Sequence, residues 1–144
     1  MSQRSTQAAP SLSARHVVNH FPGEDALTGK ARLATALLRF GASNHHPATA
    51  ILRRTGAGYA AAAGGLVDVL EKAVVPSASA RAHCVIVKPS RGACGRGIRV
   101  YRLCADDAEA ALLGTLARDF DCREVVVQQY VSRPLLLKDG RKFD

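Results

Sequence analysis

Residues 85–98 read VIVKPSRGACGRGI, and this stretch decides the fold. The run of valine and isoleucine up to Lys88 predicts a buried strand that ends at Pro89, before a glycine-rich loop. An ammonium group at the end of a buried strand is costly to desolvate without an anion beside it, so Lys88 indicates an anionic ligand. Glycines let backbone N–H groups approach phosphate oxygens because no Cβ stands in the way. The alternative is a flexible hairpin that carries a surface lysine.

The glycine spacing is G-x-x-G-x-G, formed by Gly92, Gly95 and Gly97. It is not the phosphate-binding pattern that ends in Gly-Lys-Ser/Thr, nor the dinucleotide fingerprint that opens a helix. The loop therefore predicts phosphate binding of another kind, between two strands.

Hydrophobic periodicity and turn residues predict further elements on both sides of this loop. They are a helix over 29–40, a strand over 50–54, a helix over 65–75, strands over 83–88 and 97–103, a helix that begins after Asp106 or Asp107, and strands over 123–131 and 134–138. Asp139-Gly140 predicts a turn that returns the chain into a last strand, and residues 55–65 are left undetermined. This order of elements predicts an α+β nucleotide-binding lobe.

Composition limits the classes of function. The 144 residues carry a net charge of +8, with 47% hydrophobic and 22% charged residues, and no apolar run approaches the roughly 20 residues that span a bilayer. We expect a soluble monomer whose charge favours an acidic partner, and we expect neither nucleic acid nor a membrane to be that partner. The alternative is that the charge reflects an arginine-rich composition without a function.

Cysteine and histidine spacing predicts no metal site, and the four cysteines are typical of a reducing compartment.

Two later segments are further candidates. The strand that includes Gln128, Gln129, Tyr130 and Val131 turns polar at its end, where the hinge of a two-lobed nucleotide site would pair with the adenine edge. The alternative is a strand end with solvent-facing glutamines. Lys142 and Asp144 alternate onto one face of the last strand, where a cation and a carboxylate would suit phosphates and an adjoining metal or ribose.

The order of these blocks resembles the tubulin tyrosine ligase-like family, which shares the ATP-grasp fold. The matching blocks are NHFPG at 19–23, LTGK at 27–30, IVKP at 86–89 with GRGI at 95–98, VVQQYVSRPLLL at 126–137, and KFD at 142–144. They cover about residues 17–144. Cys94 stands where the family often has arginine or another polar residue, Gly29 and Ala31 replace the usual charged neighbours of Lys30, and residues 57–65 lack the family pattern.

The resemblance implies an ATP-grasp-like fold that is partial here, with the C-terminal half absent. It divides residues 16–144 into part of the N-terminal domain over 16–82 and a truncated nucleotide-binding lobe over 83–144. Residues 1–15 contain serine, glutamine, alanine and two arginines but no acid, so we expect a disordered tail there, with an organellar transit peptide as the alternative. ATP and Mg²⁺ are the implied cofactors. The residues that would hold ATP are Lys88, Cys94, Gly95, Gly97, Gln128, Gln129, Tyr130, Val131, Lys142 and Asp144. The catalytic residues and the Mg²⁺ ligands are expected downstream of Asp144, so that the 144 residues alone would be inactive.

The implied activity is ATP-dependent addition of an amino acid to tubulin or its acidic C-terminal tails through an acyl phosphate. Slight similarity to the polyglutamylating members favours glutamate over glycine or tyrosine. The implied location is the cytoplasm, on the microtubule cytoskeleton or in a cilium or flagellum. One alternative is a non-catalytic pseudo-enzyme that binds microtubules or another acidic protein, and another is an ATP-grasp ligase that acts on small molecules.

Overall fold

Six strands form one sheet, with four helices beside it, in the computed structural model, which describes residues 23–42, 46–75, 82–104 and 107–141. The strands are β1 (Thr49–Thr55), β2 (Gly58–Ala63), β3 (Val74–Val75), β4 (Ala82–Pro89), β5 (Arg99–Cys104) and β6 (Glu124–Gln129). The helices are α1 (Asp25–Thr28), α2 (Lys30–Arg39), α3 (Leu66–Lys72) and α4 (Ala108–Asp119). All the strand pairs are antiparallel.

Strand β4 organises the sheet because both of its edges are paired. One edge of β4 pairs with β5 over residues 82–87. The other edge is shared by two strands: β3 pairs with residues 82–83 of β4, and β6 pairs with residues 85–89. Strand β1 lies on the far side of β6, and β2 follows it as a hairpin partner. Strands from before and after residue 82 therefore belong to the same sheet. The domain boundary expected there stays a prediction.

The main core lies on the face of the sheet that α3 and α4 cover. Leu112 and Leu116 of α4 are fully buried there against strand residues such as Val87 and Val127. Burial of each such side chain contributes about 1.5–3 kcal/mol relative to exposure. Alternating valines therefore anchor the centre of the sheet from this side.

Helix α2 covers the opposite face with small side chains. Ala31 and Ala34 pack on Ile51 of β1 and Val126 of β6. Residues three apart lie on one helix face, and alanines allow a close approach to the sheet. This packing fixes the first turn of α2 near the end of β4.

Most of the elements expected from the sequence are confirmed. They include the α+β class, helix α2, strands β1, β4, β5 and β6, and helix α4 after its N-cap residue Asp107. The turn at Asp139-Gly140 is also confirmed, since Gly140 has φ +82° and its N–H donates to the Leu137 carbonyl at 2.8 Å. The tail and the strand expected after Arg141 lie outside the described residues.

Two expectations were wrong in their extent. The helix expected over 65–75 ends at Lys72, and the β-branched pair Val74–Val75 continues as strand β3. No strand forms over the described residues 134–138, where only Leu136 makes an isolated bridge. Leu135 is 79% exposed, and the Leu137 N–H donates to the Arg141 carbonyl at 2.8 Å, so within the described residues this segment bonds to the end of its own turn and adds no ladder to the sheet.

None of the helices within the described ranges combines the length and the hydrophobicity that a membrane crossing requires.

A tyrosine ties β5 to α4 on the core side. The Tyr101 hydroxyl donates to Asp119 Oδ2 at 2.8 Å, and Arg99 lies 3.3 Å from the same oxygen. The pKa of Tyr101 is raised to about 12. Burial is the largest cause, followed by the hydrogen bond to Asp119 and the negative charge of the Asp119 carboxylate.

Replacing Gly64 by alanine should destabilise the fold. Gly64 has φ +71°, and a Cβ there would lie 2.4 Å from the Thr49 carbonyl oxygen. Left-handed strain alone costs about 1–3 kcal/mol, so the urea midpoint of Gly64→Ala should fall clearly. Gly114→Ala is the matched control, because a Cβ on this α4 residue meets nothing within 4 Å. That change should stabilise by about 0.5–1 kcal/mol. Equal midpoints for the two variants would refute the close approach of Gly64 to β1.

Ultraviolet titration of tyrosinate should show a last step near pH 12 that Tyr101→Phe removes. Because folding raises this pKa, the contribution of Tyr101 to stability is complete below its unfolded pKa of about 10 and is lost as the pH rises from there through 12. Asp119→Asn should move the step to lower pH, since the carboxylate is one cause of the shift. A last step that survives in Tyr101→Phe would contradict this assignment.

Candidate nucleotide-binding site

Two of the expected site residues, Lys88 and Gln128, meet on the α2 face of the sheet. Side chains alternate along a strand, and Ile51 and Val126 point to α2. Lys88 pairs with Val126, and Gln128 pairs with Thr49 in the neighbouring row. Lys88, Gln128 and Thr49 therefore share this face.

A chain of hydrogen bonds joins these three side chains. Lys88 Nζ donates to Gln128 Oε1 at 2.9 Å, and Gln128 Nε2 donates to Thr49 Oγ1 at 2.8 Å. The Thr49 hydroxyl donates in turn to the Pro47 carbonyl at 2.7 Å. Each bond fixes the donor and acceptor roles of the next group, so the ammonium of Lys88 is held at a defined place at the end of β4.

A cavity of about 390 Å³ lies between α2 and this face. Its lining residues are Lys30, Leu33, Ala34, Leu37, His46, Thr49, Lys88, Ile98, Val126 and Gln128. Two ammonium groups and several apolar side chains thus border one cavity. Such a lining suits a ligand that has an anionic part and an apolar or aromatic part.

His46 adds an unpaired acceptor to the lining. Its Nδ1 lies 2.8 Å from the Pro47 carbonyl and must donate to it, which makes Nε2 the acceptor in the neutral ring. Nε2 is buried and has no hydrogen-bond partner among the described residues. A ligand N–H in this cavity would satisfy it, and this fits the amino group of a base.

The glycine-rich loop folds back onto the end of β4. Gly97 has φ +73°, and a Cβ there would lie 2.9 Å from Pro89 Cγ, beside Lys88. Gly95 has φ +70°, and Cys94 adopts φ +56°, in the left-handed region that non-glycine residues seldom enter. Within the described part of the chain, the N–H groups of Gly95 and Gly97 have no backbone acceptor, which leaves them available for phosphate oxygens.

Lys30 is a further candidate, which the sequence did not single out. Its Nζ donates to the Gly92 carbonyl at 2.6 Å, which ties the first turn of α2 to the loop, and it borders the same cavity as Lys88. Its place in the LTGK block was the signal that could have identified it. Thr49 gave no comparable signal, because its role depends on the pairing of β1 with β6.

The remaining candidates are distributed less compactly. Gln129 Nε2 donates to the Lys72 carbonyl at 2.6 Å, so this side chain serves the end of α3 rather than the cavity. The N–H groups of Gln129 and Tyr130 donate to Ala48 and Cys84 inside the sheet, and Val131 is 51% exposed. An adenine edge would meet carbonyl groups or the N–H of Val131. Lys142 and Asp144 lie outside the described residues.

Comparison with known proteins identifies a family. Searches of curated proteins and of solved structures gave no match. The model of the tubulin-tyrosine ligase family matches residues 8–144. That family consists in general of ATP-dependent carboxylate–amine ligases of the tubulin-modifying kind, and its fold is ATP-grasp-like. The match covers nearly the whole chain, and the chain therefore belongs to the tubulin-tyrosine ligase family.

Proposed function

We propose that the cavity between α2 and the sheet binds ATP, and that the chain is the nucleotide-binding part of a ligase that adds an amino acid to tubulin. The observation that carries the proposal is the placement of Lys88, bonded to Gln128 at 2.9 Å, at a cavity that Lys30 also borders. The family match supports the reaction class. Glutamate is the proposed amino acid, in preference to glycine or tyrosine, and the proposed location is the cytoplasm, at microtubules or in a cilium or flagellum.

The two lysines would neutralise phosphate charge from two sides. Lys88 extends from the sheet and Lys30 from α2, so phosphates between them would lie against the glycine-rich loop. Hydrogen bonds between ammonium and phosphate are charge-assisted, and they are stronger than neutral ones. The apolar side chains of α2 and Ile98 would exclude water from the rest of the nucleotide.

In a ligase of this class, ATP supplies the phosphoryl group that turns a carboxylate into an acyl phosphate, from which an amine displaces phosphate to form an amide. The residues of this chain would bind and orient the nucleotide for that transfer. Mg²⁺ accompanies ATP in ATP-grasp ligases. Within the described residues, no three histidine, cysteine, aspartate or glutamate side chains come together to hold a metal ion.

The net charge of +8 supports a second candidate, a non-catalytic module that binds microtubules or another acidic protein surface. The two candidate functions differ in whether they require ATP binding. A ligase part must bind ATP at Lys88, whereas a pure binding module has no need of it.

Lys88→Met should weaken ATP binding to this chain by about tenfold or more, because a charge-assisted contact contributes about 1.5–3 kcal/mol. Isothermal titration calorimetry with ATP would measure the change in Kd. Lys30→Met should also weaken binding. Lys30 Nζ donates to the Gly92 carbonyl and not to Gln128, so this variant tests the site with the bond between Lys88 and Gln128 in place.

Lys72→Met is the control for the loss of one charge. Lys72 lies on α3, on the other face of the sheet, and pairs with Asp68 at 2.9 Å. Circular dichroism would establish that all variants remain folded. If the Kd for ATP were unchanged in both Lys88→Met and Lys30→Met, ATP would not bind in this cavity, and the non-catalytic binding module would be favoured.

A further inference from the structure

A groove of about 510 Å³ lies between α3 and α4, on the face of the sheet opposite α2. We call it the α3–α4 groove. Leu70 and Leu113 line it from the two helices, and both also pack in the main core. Val67 lies beside them in the lining and is 53% exposed. The groove therefore presents apolar surface to solvent directly above the core.

Three carboxylates line the same groove: Glu71 of α3, Asp107 at the N-cap of α4 and Glu109 in its first turn. The chain carries 20 lysines and arginines against 12 acids, yet neither a lysine nor an arginine is among the described residues that line the groove. The other titratable side chain in the lining is His83, whose Nδ1 donates to the Leu70 carbonyl at 2.6 Å. This bond leaves its Nε2 as an acceptor in the neutral ring. The side chains of the groove thus offer negative charge and hydrogen-bond acceptors.

The three carboxylates of the groove also differ from most other acids in the described part of the chain. Those others form ion pairs with a lysine or an arginine: Asp25, Asp68, Asp119, Asp121, Glu124 and Asp139. No ion pair joins Glu71, Asp107 or Glu109 to a lysine or an arginine within the described ranges. Like charges that share one groove repel each other, and a cationic partner would relieve that repulsion.

The arrangement of these carboxylates indicates an extended cationic partner rather than a single metal ion. No three histidine, cysteine, aspartate or glutamate side chains of the described residues come close enough together to hold a metal. Val67 and Glu71 are one turn apart on α3, and Glu109 and Leu113 are one turn apart on α4. Each helix therefore presents an apolar and an acidic side chain as neighbours. An amphipathic helix with lysine or arginine beside its apolar stripe complements this pattern in charge and in hydrophobicity.

We propose that the α3–α4 groove docks a basic amphipathic helix of another protein. Apolar side chains of that helix would contact Val67, Leu70 and Leu113, and its lysines or arginines would pair with Glu71 and Glu109. Charge complementarity identifies the occupant, because the groove is acidic in a chain whose net charge is +8, and the rest of the surface would repel a basic partner. The groove and the nucleotide cavity lie on opposite faces of the sheet, so this inference does not rest on the proposed function.

The test is fluorescence anisotropy at physiological ionic strength with a labelled helical peptide of leucine and lysine, whose leucines repeat at heptad spacing and share one face. A scrambled peptide of the same composition has no apolar face, and a second control peptide has glutamate in place of lysine. The amphipathic basic peptide should bind about tenfold more tightly than either control, because each control lacks one of the two complementary features. Equal affinity for the amphipathic and the scrambled peptide would overturn the proposal.

Two variants of the groove test its two features separately. Glu71→Gln/Glu109→Gln should weaken binding of the amphipathic basic peptide by about fivefold or more, as the loss of two exposed ion pairs requires. Val67→Thr keeps the shape of the side chain and replaces a methyl group by a hydroxyl, so it should weaken binding by about threefold. Circular dichroism would establish that the variants remain folded.

The control for charge is Asp68→Asn/Asp121→Asn, which removes two exposed carboxylates outside the groove, on α3 and just after α4. This variant should keep the affinity for the peptide within about twofold, since exposed charges outside the contact are screened. Equal weakening in the two double variants would show attraction by overall charge and would overturn the proposal.

The arginines of the N-terminal tail test whether the chain itself supplies the occupant. Arg4→Gln/Arg15→Gln should leave the affinity for the peptide unchanged. A gain in affinity in this variant would show that the tail competes for the groove, and it would overturn the docking of a separate protein.

Calorimetry with ATP distinguishes this inference from the proposed function. Glu71→Gln/Glu109→Gln should leave the Kd for ATP unchanged, and Lys88→Met should leave the affinity for the peptide unchanged. ATP binding without specific peptide binding would refute docking in the α3–α4 groove alone, whereas specific peptide binding without ATP binding would refute the nucleotide cavity alone.

Discussion

The hydrogen bond from Lys88 to Gln128 is the contact on which the site depends. It joins the ends of β4 and β6 on one face of the sheet, and the bond from Gln128 to Thr49 extends it to β1. Without this bond, the ammonium group of a half-buried lysine would extend into solvent, because its alkyl chain is flexible and the ammonium is strongly hydrated. The amide of Gln128 holds it instead over the cavity. Three strands that are distant in the sequence thereby present one fixed positive charge.

The rest of the fold keeps that face in position. The core between the sheet and α3 and α4 is apolar, and it leaves the other face of β1, β4 and β6 for polar groups. Helix α2 covers only part of this second face, because its alanines contact Ile51 and Val126 while Lys30 and Arg32 extend to either side. One short helix thus borders both the nucleotide cavity and a neighbouring cleft that is lined by Arg32, Arg53, Arg91 and Arg123. The anchor between helix and loop is the bond from Lys30 to the Gly92 carbonyl.

Local sequence was sufficient for the strand before Lys88, the loop after it and the amphipathic helices, because these features depend on periodicity and on glycine or proline. It was not sufficient for the end of α3, where Val74 and Val75 pair with β4, nor for residues 134–138, which have no neighbouring strand in the described part of the chain. The site followed the same rule. Lys88 and the glycines were candidates from the local pattern, and their role in phosphate binding stays a prediction. Thr49 pairs with Gln128 and Arg53 pairs with Glu124 through the register of β1 with β6, and register between distant segments has no local sequence signal.

The central claim, that nucleotide phosphates lie between α2 and the end of β4, can be tested by chemical labelling. An acyl-phosphate derivative of ATP transfers its acyl group to lysines beside the bound phosphates, and peptide mass mapping then identifies the modified residues. We expect Lys88 and Lys30 to be acylated fastest and to be protected by excess ATP, while Lys72 and Lys138 react slowly and without protection. Acylation of Lys88 and Lys30 at the same rate as Lys72 and Lys138, or labelling that excess ATP does not reduce, would contradict the claim.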